Sequence, residues 1–290
     1  MRTLHDLTAV ENVTFLYKRT RVSPVVASLR MGVLDGQTAF ILGASAGIAQ
    51  ASARLLAADG ASLYLLGRSM QRLEATRDGI LAVAPDAEIV LQKGDPEDEA
   101  TVASAAEAAY DVNQRLNIVV GTVAAGGTGP LIQQDLATFT DFVMGNLRSN
   151  FLALRYSAPL MKDGGAIVFI SSTSSKIPME GLGHYSAGKA ALEMFIRVAA
   201  SELGSRGIRV NAVRPGLTAA ATTQGYIHLE ELTSSFLERV PLGRLGVPDD
   251  IAPGVRYLAG PESSWVTGQS FAIDGGNEVR GAPRGPMFTV

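Results

Sequence analysis

The chain has 290 residues, 47% of them hydrophobic, with 25 Lys and Arg against 28 Asp and Glu and a formal net charge of −3 at pH 7. That length holds one large α/β domain or two modest ones, and no linker divides it, so one domain is expected. The near-neutral charge, without blocks of like sign, speaks against a nucleic-acid partner, the lack of cysteine excludes disulfides and thiolate metal sites, and the scattering of His5, His184 and His228 speaks against a histidine metal cluster.

The N-terminus carries Arg2, His5, Asp6 and Glu11 where a signal peptide would need an apolar core, and no apolar run reaches the roughly 18 residues of a membrane span. A soluble cytoplasmic protein is expected, with a small-molecule partner and neither nucleic acid nor membrane. Residues 1–35 form a mildly basic extension in which Lys18, Arg19, Arg21 and Arg30 are interleaved with Val13, Phe15, Leu16 and Tyr17. It reads as an arm packed on its own or a neighbouring subunit, with an anionic ligand as the alternative. From there short apolar runs alternate with helical patterns. TAFIL (38–42) precedes GIAQASARLLAAD, SLYLL (62–66) precedes MQRLEATRDGILAV, and EIVLQ (88–92) precedes DEATVASAAEAAYDV. NIVVG (117–121) precedes one long helical stretch from Ala137 to Met161, and AIVFIS (166–171) precedes the helix that carries Tyr185. IRVNAV (208–213) and SFAID (270–274) close the series. Strands apolar throughout, each followed by a helix, predict a single-domain α/β fold over 36–276. Its core is a doubly wound, Rossmann-type parallel sheet of about seven strands with helices on both faces. Residues 277–290 form a tail rich in Gly, Pro and Arg.

The first strand runs into Leu42-Gly43-Ala44-Ser45-Ala46-Gly47-Ile48-Ala49, which opens a helix. Glycines there allow close backbone approach, and a helix N-terminus offers free N–H groups and a positive dipole end to a pyrophosphate. Gly43, Ser45, Ala46, Gly47 and Ile48 are therefore candidate cofactor contacts, although small residues at a helix start also serve plain packing. Ala49 stands where a third glycine is usual. The second strand ends in Gly67-Arg68-Ser69 with no carboxylate at its tip. An acid there would bind the ribose 2′-hydroxyl of NAD and repel a phosphate, so Arg68 and Ser69 point to the 2′-phosphate of NADP(H).

Tyr185 and Lys189 are four residues apart, about one helical turn, and share a helix face. A phenol of pKa near 10 is a poor acid or base at neutral pH, and a neighbouring ammonium favours its ionised form. Ser172 lies at the end of a buried strand, where parallel-sheet proteins place ligands, and can polarise a carbonyl. With these residues the sequence resembles the short-chain dehydrogenase/reductase family, in its Tyr-x-x-x-Lys branch, over roughly residues 36–276. The likeness is carried by the Gly43/Gly47 turn, Asn146-Leu147, Ser171-Ser172, Tyr185/Lys189, Asn211 with Pro215-Gly216, and the closing run from PLGRLGVPDDIA to VTGQSFAIDGG.

The resemblance implies an NADP(H)-dependent carbonyl reductase or alcohol dehydrogenase with Asn146, Ser172, Tyr185 and Lys189 as its catalytic set. Lys189 would also hold the nicotinamide ribose, and Asn146 would sustain a water-linked proton path to the lysine. Asn150 is a rival to Asn146, and Ser171 to Ser172; the family spacing favours Asn146 and Ser172. Asp95 matches the acid that contacts the adenine amine, with a helix N-cap as the alternative. Pro215, Gly216 and Thr218 fall on the cofactor side, Thr218 toward the carboxamide. Three departures stand out: Gly121-Thr122-Val123-Ala124 replaces the usual Asn-Asn-Ala-Gly, Ala220 takes the usual place of the threonine, and Leu42 replaces a threonine ahead of the glycine turn. A homo-oligomer is also implied, with the helices Ala137–Met161 and Tyr185–Leu203 forming a dimer face and the C-terminal segment building a tetramer.

The substrate would be bounded by residues 127–131, 177–184 and 218–235. Leu131, Met179, Leu182, Tyr226 and Ile227 there suit a largely apolar ketone or alcohol, with Glu180 or His228 as a polar anchor. His184 flanks Tyr185 but points away from it. Reduction of an imine or activated alkene, and a non-catalytic NADP-binding role, are the alternatives.

Overall fold

The structure is a computed structural model that describes residues 32–220 and 223–281, and of Tyr226 the backbone alone. The N-terminal arm up to residue 31, the tail from 282 onward and the Tyr226 side chain, expected as a substrate contact, lie outside the described residues.

The predicted alternation is the observed one. In chain order the elements are β1 (Thr38–Leu42), α1 (Gly47–Ala58), β2 (Ser62–Gly67), α2 (Met70–Leu81), β3 (Ile89–Lys93), α3 (Glu99–Asn113) and β4 (Ile118–Gly121). Next come α4 (Leu136–Gly145), α5 (Arg148–Ser157), β5 (Gly165–Ile170), α6 (Gly183–Leu203) and β6 (Ile208–Pro215). Then follow α7 (Gln224–Ile227), α8 (Glu230–Leu237), α9 (Pro248–Ala259), β7 (Ser270–Ile273) and α10 (Asn277–Arg280). The strands form one parallel sheet in the order β3-β2-β1-β4-β5-β6-β7, with Ile41 of β1 opposite both Leu65 of β2 and Val120 of β4.

Strand periodicity sorts the apolar side chains onto two faces. Phe40, Leu42, Leu66, Val119, Ile167 and Phe169 pack under α3, α5 and α6. Their neighbours Ile41, Leu65, Val120, Val168 and Ile170 pack under α1, α2 and α9. β1 and β4 are buried throughout because helices cover both faces, whereas the edge strands β3 and β7 are partly exposed. The winding reverses between β1 and β4, so a crevice opens outside their carboxyl ends.

One element differs from expectation. The stretch Ala137–Met161 is not one helix: α4 ends at Gly145, and Asn146-Leu147 separates it from α5. The N–H groups of Asn146 and Leu147 reach back only three residues, to Val143 (3.3 Å) and Met144 (2.9 Å), so the turn tightens. Asn146 is fully buried, and its Nδ2 donates to the carbonyls of Phe142 (2.8 Å) and Ala125 (2.7 Å). A side-chain amide that competes for helix carbonyls and binds a neighbouring loop breaks the ladder. Apolar periodicity does not register it.

Candidate active site

The glycine turn fills the space between the ends of β1, β2 and β4. Gly43 and Gly47 have φ of 79° and 60°, the left-handed region that glycine adopts without a steric penalty. A Cβ on Gly43 would stand 2.6 Å from Thr122 Oγ1, which donates to the Leu42 carbonyl at 2.8 Å. Thr122, at a place where the family carries asparagine, thus ties the end of β4 to the end of β1. Ala46 is the extended N-cap of α1 and offers no side-chain cap, so the first N–H groups of the helix face outward. Ser45 Oγ lies against Gly67 at the tip of β2. Ala49, in the first turn of α1, is buried and small enough for helix and sheet to approach, and Ile48 packs partly buried against the same cluster.

Arg68 is exposed at the end of β2. Ser69 caps α2, its Oγ accepting from the Arg72 N–H at 3.4 Å, which leaves the hydroxyl proton for another acceptor. Asp95 is not the cap of α3; Asp98 is, its Oδ2 accepting from Thr101 N–H at 2.8 Å, because the helix starts three residues later than Asp95 would require. Asp95 instead accepts from Glu97 N–H at 3.0 Å in an exposed turn. Pro215 ends β6, and Gly216 packs against Asp274. Thr218 is buried and its hydroxyl donates to the Gly216 carbonyl at 2.9 Å. The segment after β6 stands over the glycine turn, Ala220 facing Gly47, beside a hollow of about 380 Å³ lined by Gly47, Gln50, Arg54, Ala220 and Gln224 among others. A turn with two left-handed glycines, an uncapped helix start and an exposed arginine at the next strand tip fits a dinucleotide.

That hollow is not lined by Ser172 or Tyr185. These two stand at the ends of β5 and α6. Ser172 Oγ accepts from the N–H (3.2 Å) and the hydroxyl (2.9 Å) of Ser174, which leaves its own proton to donate elsewhere; Ser171 is buried. Helix α6 starts at Gly183, so Tyr185 and Lys189 sit in its first two turns, with Lys189 Nζ 5.7 Å from the centre of the Tyr185 ring. Lys189 is fully buried and donates to the Ile170 carbonyl at 2.8 Å. Burial lowers its pKa to about 7, opposed by the charge of Glu193 one turn on. Glu193 is itself buried, accepting from Ser270 Oγ at 2.8 Å with Arg214 at 3.8 Å, and Arg214 forks onto Glu278 of α10 at 2.7 and 3.0 Å.

Asn146 meets α6 at Gly188, where a Cβ would stand 2.9 Å from the Asn146 Cβ. Asn150 is equally buried, its Nδ2 on the Asn146 carbonyl at 3.0 Å. His184 packs the other way, its ring 4.5 Å from that of Phe142 and its Nδ1 2.7 Å from Gln134 Nε2. Its pKa is lowered by burial, which keeps it neutral. Two of the segments expected around a substrate meet, Gly129 N–H donating to the Gly181 carbonyl at 2.9 Å. Leu131 is exposed there, with Met179 and Leu182 half-buried. Glu180 and His228 are exposed. Asn211 is structural: buried in β6, it donates to Val266 O (2.8 Å) and accepts from Gln269 N–H (3.0 Å). Sequence reasoning missed the Thr122 tie, the Gln134–His184 pair and the Glu193–Arg214–Glu278 chain. Their partners are tens of residues apart and carry no local pattern.

A doubly wound parallel sheet with this glycine turn at its switch point is the architecture of dinucleotide-binding proteins, and comparison with known proteins narrows the class. The family model described as Enoyl-(Acyl carrier protein) reductase matches residues 43–278. The chain is 34% identical over 250 residues to galactitol 2-dehydrogenase (L-tagatose-forming) of Cereibacter sphaeroides, covering 85% of this chain and 96% of that one. It is 30% identical over 251 residues to a 3-oxoacyl-[acyl-carrier-protein] reductase of Synechocystis, covering 85% and 98%. The solved structure of a short-chain type dehydrogenase/reductase from Mycobacterium ulcerans superposes with a TM-score of 0.83 at 30% identity, covering 87% and 93%. The chain belongs to the short-chain dehydrogenase/reductase family, oxidoreductases that bind a nicotinamide cofactor. Among the described residues no helix is long and apolar enough to cross a membrane.

Proposed function

We propose that this chain is an NADP(H)-dependent oxidoreductase that interconverts a ketone and a secondary alcohol on a small, largely apolar substrate, with Tyr185 as the acid/base. The observation that carries this reading is the placement of a fully buried Lys189 beside the Tyr185 ring. A lysine sealed from water serves no solvation role there, whereas its charge acts on a phenol one turn away through a low-dielectric medium. Gly43, Ser45, Ala46, Gly47 and Ile48 would hold the pyrophosphate half, Arg68 and Ser69 the 2′-phosphate, Asp95 the adenine, and Pro215, Gly216 and Thr218 the nicotinamide side. When bound, the cofactor supplies the hydride. Ser172 donates its hydroxyl proton to the substrate oxygen and fixes it against Tyr185. Tyr185 gives its proton to that oxygen in reduction and takes it back in oxidation. Lys189 in its charged form stabilises the phenolate left behind, and Asn146 orders the region behind the lysine. Leu131, Met179 and Leu182 form an apolar wall.

A homo-oligomer accompanies this reading. Phe151, Met194 and Val198 are 42%, 57% and 49% exposed on α5 and α6, the helices expected to form a dimer face, and Trp265 is 99% exposed ahead of β7. A cytoplasmic location fits the cysteine-free chain.

The test is NADPH oxidation against a panel of ketones that includes a 3-oxoacyl thioester and a ketohexose, with an enoyl thioester for the alkene alternative. Tyr185→Phe is expected to lower kcat about 10²- to 10⁴-fold while NADPH binding holds. Turnover retained in that variant would refute the assignment.

A further inference from the structure

The loop after β4 is laid along the start of α6 by three contacts in register. Gly129 N–H donates to the Gly181 carbonyl at 2.9 Å. A Cβ on Gly183 would overlap the Leu131 side chain, so glycine there lets the leucine lie across the helix start, two residues before Tyr185. Gln134 then meets His184, the neighbour of Tyr185 in the chain, with its Nε2 2.7 Å from Nδ1 of the ring. Residues 129, 131 and 134 thus touch 181, 183 and 184 in turn.

Hydrogen-bond chemistry fixes the state of the last contact. The same Gln134 Nε2 donates to the Gly129 carbonyl at 2.8 Å. Turning the amide over would set its oxygen against that carbonyl, acceptor against acceptor, so the nitrogen stays on this side. An amide nitrogen only donates, so His184 Nδ1 is bare and the ring carries its proton on Nε2. A proton on Nδ1 would face the amide N–H and break the contact. The ring is also held in place: His184 is 1% exposed, and Phe142 of α4 packs on it at 4.5 Å. Phe142 touches the beginning of the loop as well, since a Cβ on Gly127 would stand 2.5 Å from its ring. One imidazole is therefore reached from both ends of the loop, through Phe142 and through Gln134.

The loop held in this way presents apolar surface to water. Leu131 and Ile132 are 59% and 80% exposed where the chain enters the helix of Tyr185. Aliphatic side chains fixed at the mouth of a site gain free energy when something apolar covers them. We propose that His184 and Gln134 are a positioning pair for the substrate wall, in which the bare Nδ1 of His184 takes the Gln134 amide proton, holds loop 127–134 on the start of α6 and so fixes Leu131 as the surface for an apolar arm of the carbonyl substrate. Neither residue touches the reacting atoms; both act through Leu131. The substrate class selected is a ketone with an alkyl chain or ring on one side rather than a polyhydroxylated one, because hydroxyls laid on Leu131 would lose water without gaining partners. This inference rests on the reading of Tyr185 as the acid/base of the site.

The test uses the full chain and two readouts. Amide hydrogen exchange of the peptide spanning 124–134 reports loop docking without substrate, and KM along a series of methyl ketones from butanone to decanone reports the wall. In the parent, KM is expected to fall by up to about fourfold per methylene while the chain lies on Leu131. His184→Phe keeps a ring against Phe142 and removes the acceptor. It is expected to speed exchange about tenfold and to flatten the KM series, with kcat on butanone within about twofold of the parent. His184→Asn, whose Oδ1 takes the place of Nδ1, is expected to restore both. Gln134→Leu removes the donor from the loop side, and is read in place of the phenylalanine variant should that fail to fold. Imidazole ¹⁵N NMR, with the His184 signals assigned among three histidines by their loss in the variant, is expected to show the proton on Nε2. Phenylalanine and asparagine variants that behave alike, or a proton on Nδ1, overturn the proposal. Exchange that follows these substitutions in a chain that turns over no ketone sinks the proposed activity and leaves the pairing standing; turnover with exchange unmoved does the reverse.

Discussion

Replacing Lys189 by Met removes the amine and keeps an unbranched side chain of similar reach. In the folded protein burial holds the Lys189 pKa near 7, against 10.5 for an ordinary lysine. Between those values the unfolded chain keeps a proton that the folded protein has released, so stability rises with pH. The slope approaches about 1.4 kcal/mol per pH unit, and from about pH 7.5 to 9.5 the gain attributable to this residue is about 2 kcal/mol. Below pH 7 both states hold the proton, and the cost of burying the charge is present in full. Lys189→Met has no such term. Urea unfolding of both proteins at matched concentration across this range is the assay, since oligomerisation would otherwise shift the midpoint. The stability advantage of the methionine variant over the parent is expected to shrink by about 2 kcal/mol across the range while its turnover is lost. Two stability curves that run parallel in pH would refute the idea that burial depresses the lysine.

Arg68→Ala is expected to weaken NADPH binding about 10- to 100-fold and leave NADH binding nearly unchanged, as loss of a charge-assisted phosphate contact dictates; an unchanged NADPH to NADH ratio would assign the arginine to solvent. Gly43→Ala forces a side chain to φ of 79° and against Thr122 Oγ1. A loss of about 1–2 kcal/mol in thermal or urea unfolding is expected, with weaker cofactor binding, and an undiminished stability would show that the turn relaxes.

Apolar runs spaced by helical patterns were enough to place every strand of the sheet within a residue or two, because a strand buried on both faces must be apolar along its length. The Tyr185/Lys189 spacing was equally legible, since one helical turn relates them. What periodicity hid was the break at Asn146, where a single polar side chain outbids the backbone. It also gave Asp95 the alternative role of a cap that Asp98 performs, since two acids three residues apart each precede a helical pattern.

The sequence by itself determined the parallel α/β sheet, the glycine turn at its switch point and the shared helix face of the phenol and the amine. All follow from local geometry, period two along a strand and 3.6 along a helix. Only the tertiary structure decided that Lys189 is sealed from water and that Glu193 and Arg214 are linked to Glu278. Those facts depend on which distant segments meet in a medium of low polarity, and no local spacing encodes how strongly a charge is desolvated once the chain closes around it.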